Sequence, residues 1–368
     1  MTWIGFHFAL REPVRFGLTA FGLACAVVLT VFLAGVYQGV VHGSLSYIAD
    51  ADADVWVGRP GSWNLMRSSG LLPGSVGESL REVRGVKTVE PILAALLPAE
   101  VEQLRRTLLV VGLEDTARLA RPRRVLEGIA VPGTGEIVID RAFATRAGVG
   151  VGDTIALAGH SLSVAGVTDD TNLLVTQYAF VTRRDLLRAV GLVDGATFFL
   201  VRTEAAAGVG LAAALEEHVG GIAAYDRATF LANNREELES GFLPILWAIA
   251  VLGLVVGVSV VSIMTYTAVL DKREDYVLLA AIGAGRAVQF SVVMQQALLA
   301  AAVGGLAGLG LLAALQRSLP TIVPELSLRV EPWIGAAAFG GALVMAAVGA
   351  VFPGRVASQL TPLEALRR

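Results

Sequence analysis

The sequence predicts an α-helical membrane protein with four transmembrane helices and a mixed α+β extracytoplasmic domain inserted between helices 1 and 2. Of its 368 residues, 55% are hydrophobic and only 17% are charged, whereas soluble proteins carry about 25% charged residues. Four uncharged stretches are long enough to cross a hydrocarbon core, which takes about 20 apolar residues. An interval of about 200 residues of mixed composition separates the first stretch from the second and predicts one folded external domain.

The uncharged stretches and the segments between them divide the whole chain. The first stretch, of about 26 residues, exceeds the apolar core of a signal peptide, which is about 7 to 15 residues, so we expect it to be retained as a span. In order, we predict an interfacial amphipathic helix at residues 1–15, TM1 at 16–41, the extracytoplasmic domain at 42–241, TM2 at 242–270, a cytoplasmic coupling helix loop at 271–287, TM3 at 288–315, an external loop at 316–332, TM4 at 333–352 and a cytoplasmic tail at 353–368.

The basic residues that flank the spans predict the orientation. They concentrate before TM1, between TM2 and TM3, and after TM4, whereas residues 42–48 and 237–243 contain neither Arg nor Lys. Because basic loops stay in the cytoplasm, both termini and the 271–287 loop are expected there, and the large domain outside. The basic residues are Arg11, Arg15, Lys272, Arg273, Arg286, Arg355, Arg367 and Arg368.

Short β-prone runs alternate with helical patterns in the external domain. Strands are predicted at residues 54–57, 107–111, 136–140, 154–157, 161–165, 179–182 and 198–202. Helices are predicted at residues 77–83, 141–147, 183–190, 206–218 and 226–240. The last helix has no Gly or Pro between residues 228 and 240, so we expect it to run almost directly into TM2, with Gly241 and Pro244 as possible kinks.

The sequence lacks the residues that several classes of function require. A net charge of -3 gives no basic field for nucleic acid. The Gly-rich run at residues 148–153 follows a predicted helix and precedes a strand, the reverse of a dinucleotide-binding loop, so we predict a turn. Neither Lys87 nor Lys272 follows a glycine, which excludes a Walker A ATP site. The scattered histidines and the single Cys25 predict no metal site, and no catalytic constellation is present.

The spans themselves indicate how they pack. All four lack Asp, Glu, Lys and Arg, which argues against an ion-coupled transporter because ion or proton pathways usually need such a residue. Glycines four residues apart let helices approach closely in lipid, so we predict packing faces within or between subunits. These pairs are Gly35 and Gly39, Gly253 and Gly257, and Gly304 and Gly308.

The cytoplasmic loop contains an acidic residue, an apolar stretch and an Ala-x-Gly turn, formed by Asp275 and residues 281–284. This pattern resembles the coupling segment of the FtsX-like, MacB-type permeases of ABC transporters, and is most similar to the DevC-type branch. Residues 360–367 resemble the family's closing Pro-x-x-Ala-Leu-Arg motif, residues 138–153 resemble part of its external domain, and residues 15–22 resemble the approach to its first span.

The resemblance implies a permease subunit of the bacterial cytoplasmic (inner) membrane that dimerises with a second copy of itself. It implies two copies of an ABC ATP-binding subunit as partners, with ATP and Mg bound there and no cofactor in this chain. A periplasmic adaptor or membrane fusion protein is left open as a further partner. The implied ATPase-coupling residues are Arg273, Glu274, Asp275, Tyr276, Leu279, Ile282 and Gly283, with Tyr276, Leu279 and Ile282 as anchors in a groove of the ATPase.

Two functions fit this resemblance. In the first, ATP hydrolysis in the partner moves the external domain and drives export or extraction of an amphiphilic substrate such as a lipid, peptide, haem or drug. In the second, the same architecture is a transmembrane signalling subunit that activates an external cell-wall hydrolase and transports nothing. The chain itself is expected not to be an enzyme.

Overall fold

The computed structural model describes residues 13–66, 68, 70–102, 104–173, 176–204, 210–326 and 328–360. Residues 1–12 of the predicted interfacial helix and residues 361–368 of the predicted tail lie outside this set. The chain divides into two compact units. We call Gly39–Phe242 with Pro320–Ser327 the external unit, and Met1–Gln38, Leu243–Leu319 and Leu328–Arg368 the membrane unit.

The described residues form helices and strands in the following order. They are α1 (Pro13–Asp50), β1 (Val55–Gly58), α2 (Ser75–Glu82), β2 (Val86–Val101), β3 (Leu104–Leu113), β4 (Val125–Gly128), β5 (Glu136–Asp140), α3 (Arg141–Ala147), β6 (Thr154–Leu157), β7 (His160–Thr168), β8 (Gln177–Thr182), α4 (Arg183–Ala189), β9 (Phe198–Thr203), α5 (Leu211–Val219), β10 (Ala223–Asp226), α6 (Arg227–Asp271), α7 (Arg273–Ala281), α8 (Arg286–Ile322) and α9 (Pro332–Gln359).

Four helices in the described part of the chain are long and apolar enough to cross a membrane, which confirms the predicted fold class. Their spanning segments are Phe16–Asp50, Leu243–Asp271, Arg286–Leu319 and Pro332–Gln359. Three helices extend beyond the predicted C-terminal bounds: α1 continues past residue 41 to Asp50, α8 past residue 315 to Ile322, and α9 past residue 352 to Gln359. The helix predicted at 226–240 and TM2 form the single helix α6, which contains Pro244.

One lobe of the external unit has a βαββαβ arrangement. Its strand order is β10-β1-β9-β2, all antiparallel, with α2 following β1 and α5 following β9. This is the ferredoxin-like supersecondary motif, and we call it the ferredoxin-like lobe. Helices and sheet enclose an apolar cluster that includes Val57, Leu80, Phe199 and Leu215.

The other lobe is a closed ring of six strands, which we call the barrel lobe. Strands pair in the order β2-β3-β8-β5-β7-β6, and β6 returns to β2 through Ala99 and Glu100. The long strand β2 belongs to both lobes, since residues up to Ile92 pair with β9 and residues from Leu93 pair with β3. Closure removes most unpaired strand edges, and β4 alone extends the ring beyond β7.

The predicted secondary structure of the external domain is correct at most positions and incomplete at three. Each of the seven predicted strands coincides with or overlaps an observed strand, but β2, β4 and β10 were not predicted. The run at residues 148–153 is a turn, as expected: α3 ends at Ala147, Gly148 and Gly152 have φ of 67° and 99°, and β6 begins at Thr154. The predicted helix 206–218 corresponds to α5, while residues 205–209 lie outside the described set.

Candidate functional site

The segment predicted to couple to an ATPase forms the short helix α7 between α6 and α8. Helix α6 ends at Asp271, and the Tyr276 backbone N–H donates to the Lys272 carbonyl at 3.1 Å. Glu274 and Asp275 lie in the first turn of α7, where their negative charge is favourable near the positive end of the helix dipole. Arg273, Glu274 and Asp275 are all exposed.

The apolar side chains of this segment lie on two different surfaces. Leu278 and Ile282 are 64% and 75% exposed, whereas Tyr276 is 1% exposed and belongs to the apolar core of the membrane unit. Leu279 is partly buried and packs against the same core. Tyr276 is thus buried and Leu279 partly buried, whereas Leu278 and Ile282 are exposed, and the coupling role of this segment stays a prediction.

Gly283 terminates α7 in a conformation that favours glycine. Its φ is +94°, a left-handed value that strains any residue with a Cβ. The Gly283 N–H donates to the Ala280 carbonyl at 3.1 Å, and the Ala284 N–H donates to the Leu279 carbonyl at 2.9 Å. This pair of bonds is a Schellman motif, which satisfies carbonyls at the helix end and fixes the direction in which the chain leaves it.

A buried amide connects α7 to the following span. The Gln289 side chain, on α8, is 2% exposed, and its Nε2 donates to the Tyr276 backbone carbonyl at 3.4 Å. Together with the buried ring of Tyr276, this hydrogen bond attaches α7 to the membrane unit.

The glycines of α8 bring it against α1 within the chain. A Cβ on Gly304 would lie closer to the Ala20 carbonyl oxygen than real Cβ atoms ever do, and one on Gly308 would lie 2.9 Å from the Ala24 carbonyl oxygen. The absence of a side chain at both positions therefore permits backbone contact between the two spans.

The other predicted glycine faces have different surroundings. A Cβ on Gly257 would lie 2.8 Å from the Met345 sulfur, whereas one on Gly253 would lie 3.8 Å from Leu29, an ordinary contact. A Cβ on Gly35 would lie 2.7 Å from Leu328. Gly39 is buried. Gly253 and Gly257 therefore differ in how closely a neighbouring helix approaches them: among the described residues, Gly253 has only the ordinary contact with Leu29.

The first turns of α6 are fixed inside the external unit by aromatic packing. The ring of Phe230 stacks on the fully buried ring of Trp56 with centroids 4.6 Å apart, and Phe198 packs edge-on against both. The Leu65 backbone N–H donates to Asn234 Oδ1 at 2.9 Å. Helix α6 thus begins in a rigid apolar joint, and the same helix ends next to α7.

Asp140 is a buried carboxyl that caps α3. Its Oδ1 accepts the Ala142 N–H at 2.7 Å, and its Oδ2 accepts the Thr171 hydroxyl at 2.6 Å. Burial outweighs these hydrogen bonds and raises the pKa of Asp140 to about 6.

We expect this pKa to make the stability of the external unit depend on pH. The folded-state pKa of Asp140 lies above the unfolded value of 3.8. The contribution of Asp140 to the free energy of unfolding is therefore complete below pH 3.8 and is lost as pH rises through about 6. By pH 7 the loss is about 3 kcal/mol. Thermal unfolding of the full chain in detergent, compared from pH 4 to 7 with that of Asp140→Asn, measures it. Asn also caps α3 but does not titrate, so equal pH slopes for the two chains would contradict this assignment.

The described residues contain no group of three or more His, Cys, Asp or Glu side chains placed to hold a metal ion.

Comparison with known proteins identifies both parts of the chain. Residues 16–217 match the MacB-like periplasmic core domain, and residues 247–362 match the FtsX-like permease C-terminal domain. No curated protein matches the chain.

Two solved structures are similar to part of the chain. The periplasmic region of MacB from Actinobacillus actinomycetemcomitans is 13% identical, with a TM-score of 0.39 over 50% of this chain and 92% of that one. The extracellular domain of the noncanonic ABC-type transporter YknZ from Gram-positive bacteria is 15% identical, with a TM-score of 0.36 over 47% of this chain and 99% of that one. With both family domains present in order, the chain belongs to the FtsX/MacB-type family of ABC transporter permeases.

Proposed function

We propose that the chain works as a dimer with two copies of a separate ATP-binding subunit, and that ATP hydrolysis there moves the external unit. The observation that carries this proposal is the exposed face of α7. It offers the charged Arg273, Glu274 and Asp275 beside the apolar Leu278 and Ile282. An apolar pair one helical turn apart, bordered by charges, suits a groove on another protein.

Helix α6 supplies a route from this face to the external unit. It is one helix from Arg227 to Asp271, and its first turns are fixed by the Trp56 and Phe230 stack. Pro244 lies between the two ends and removes one backbone hydrogen bond, but the helix is continuous, and a shift at Asp271 would be carried along it toward Phe230. In the most apolar stretch of α6, only 11% is buried, against 28% to 33% in the corresponding stretches of the other spans. Helix α6 therefore has the most apolar surface left for a second copy or for lipid.

The proposed cargo is an amphiphile exported or extracted from the outer leaflet or the periplasm, with the membrane unit in the bacterial inner membrane and both termini cytoplasmic. The absence of charged residues from the predicted spans supports an ATP-driven mechanism over an ion-coupled one, because it leaves no group for ion coupling.

Replacing the two exposed anchors tests the docking face. We expect Leu278→Ala with Ile282→Ala to lower recovery of the ATP-binding subunit with the full chain by roughly tenfold or more, because each large apolar side chain contributes about 1 kcal/mol or more to an interface. Both side chains are exposed, so folding and membrane insertion should be unaffected. Co-purification from membranes, followed by the rate of ATP turnover, measures the effect.

The matched control is Leu126→Ala with Ile129→Ala, which removes the same two residue types at sites 51% and 47% exposed in the external unit. It should leave ATPase recovery unchanged. Full recovery and full turnover by the α7 variant would contradict the proposed docking face. Purification of the unaltered chain also separates the two functions: an external cell-wall hydrolase that co-purifies and is activated by ATP, without transport, would favour the signalling alternative.

A further inference from the structure

The connection between α8 and α9 is held on the barrel lobe by a compact polar cluster. We propose that Glu325 is the centre of an ionic latch that closes in the resting protein and opens when the external unit moves. The latch consists of Glu325, Arg146, Arg106 and Asn172, all of which lie in the external unit. The opening step rests on the function proposed above; the closed latch does not.

The contacts of Glu325 are numerous for a residue in an irregular connection. Arg146, at the end of α3, donates from Nε to Oε1 and from Nη2 to Oε2, both at 2.7 Å. Arg106 on β3 places Nη2 3.8 Å from Oε1. A two-pronged pair of this kind fixes orientation as well as distance. The Arg146 guanidinium also lowers the pKa of Glu325, so the carboxylate is ionised at neutral pH.

Asn172 supplies a third contact to Glu325 and is itself held in place by its neighbours. Its Nδ2 donates to the Glu325 backbone carbonyl at 2.6 Å, and its Oδ1 accepts from Gln177 Nε2 at 3.1 Å. The backbone carbonyl of Asn172 lies directly against Gly43 of α1, where a Cβ would have no room. The receiving surface is therefore built by β8, α1 and the preceding turn, and the α8–α9 connection is the part that can leave it.

The chemistry of this contact differs from that of the joint at the start of α6. That joint consists of the buried rings of Trp56, Phe198 and Phe230. By contrast, none of residues 323–326 is buried, and the arginine side chains are 37% and 47% exposed. The Glu325 side chain is 13% exposed, but both of its arginine partners reach solvent, so water can replace them when the pair opens. The aromatic joint is therefore suited to staying closed, and the polar cluster around Glu325 is suited to opening and closing.

The closed latch can be tested in the full chain without any partner. In lipid nanodiscs, Glu325→Gln should raise hydrogen exchange at the backbone amides of residues 323–326 by roughly fivefold, because it removes the ion pairs that hold Glu325 on the barrel lobe. The charge-swapped chain Arg146→Glu with Glu325→Arg should restore much of the protection. Glu100→Gln, which breaks the exposed pair with Arg105 on the same lobe, should leave these amides unchanged. Equal exchange in Glu325→Gln and the unaltered chain would overturn the latch.

Opening is tested in the complex with the ATP-binding subunit. Arg146→Cys and Glu325→Cys in a Cys25→Ser background can be joined through two disulfides by a bis-methanethiosulfonate reagent of matching length. If opening is part of the cycle, the joined complex should turn over ATP roughly tenfold more slowly and recover on reduction. Unchanged turnover after complete cross-linking would overturn the opening step. Failure of the chain to associate with any ATPase would instead overturn the proposed function, while the exchange experiment would still decide whether the latch exists.

Discussion

Gly304→Val is expected to prevent stable packing of α8 on α1, at a cost of about 3 kcal/mol or more. A Cβ at this position would overlap the Ala20 carbonyl oxygen, and the other nearest atoms are also Ala20 backbone. Helix backbone cannot rotate away as a flexible side chain can, so the two spans would have to separate along their contact. Cooperative unfolding of the full chain in mixed detergent micelles should begin at much lower denaturant.

Gly310→Val is the matched control for this change. It lies on the same helix, and nothing lies within 4 Å of a Cβ built there. The two variants therefore share the change in helix propensity and differ in the contact with α1. Equal losses of stability in both would show that the predicted overlap with Ala20 does not occur.

Trp56→Ala is expected to cost the external unit about 3 to 5 kcal/mol, the range for removing a large buried aromatic ring. The ring is fully buried and stacks on Phe230, so its loss opens a cavity at the start of α6. We expect a lower unfolding temperature and faster hydrogen exchange at residues 227–238. In the complex, the first turns of α6 would no longer move rigidly with the ferredoxin-like lobe.

Trp63→Ala removes the same side chain from a site that is 38% exposed. It should have a much smaller effect on stability and none on the exchange of α6. If both tryptophan variants accelerate exchange of α6 equally, the aromatic stack is not what fixes the helix.

The spans could be predicted from sequence because an uncharged run of sufficient length has few alternatives in a membrane protein. Their ends could not, because charge and hydropathy mark the edge of the apolar segment and not the end of the helix. Residues 42–50 contain no proline, and α1 continues through them to Asp50. The early start of α6 at Arg227 was predictable, because residues 228–240 contain no Gly or Pro.

Strand β2 was missed because it contains Pro91 and Pro98, which argue against a strand in the middle of a sheet. Pro91 pairs with Phe199 and Pro98 with Thr107, and the Pro98 carbonyl still accepts a hydrogen bond from the Ala158 N–H at 2.8 Å although proline has no N–H to donate. The strand changes partners between the two lobes, and no pattern in the local sequence predicts this change.

Sequence spacing places Tyr276, Leu279 and Ile282 on one face of α7, but it does not say which neighbour covers which face. The membrane unit covers Tyr276 and part of Leu279, and this leaves Leu278 and Ile282 exposed. The latch was likewise absent from the sequence analysis, because Arg146 and Glu325 are 179 residues apart. Contacts of this kind depend on the tertiary fold.

Transmission of movement from α7 to the external unit can be measured by hydrogen exchange of the complex, with and without trapped ATP. We expect that trapping nucleotide in the ATP-binding subunit accelerates exchange at residues 323–326 and 141–147, while the amides around Trp56 and Phe230 stay protected. Identical exchange across the external unit in both states, in a complex that hydrolyses ATP, would contradict the transmission of movement from α7 through α6.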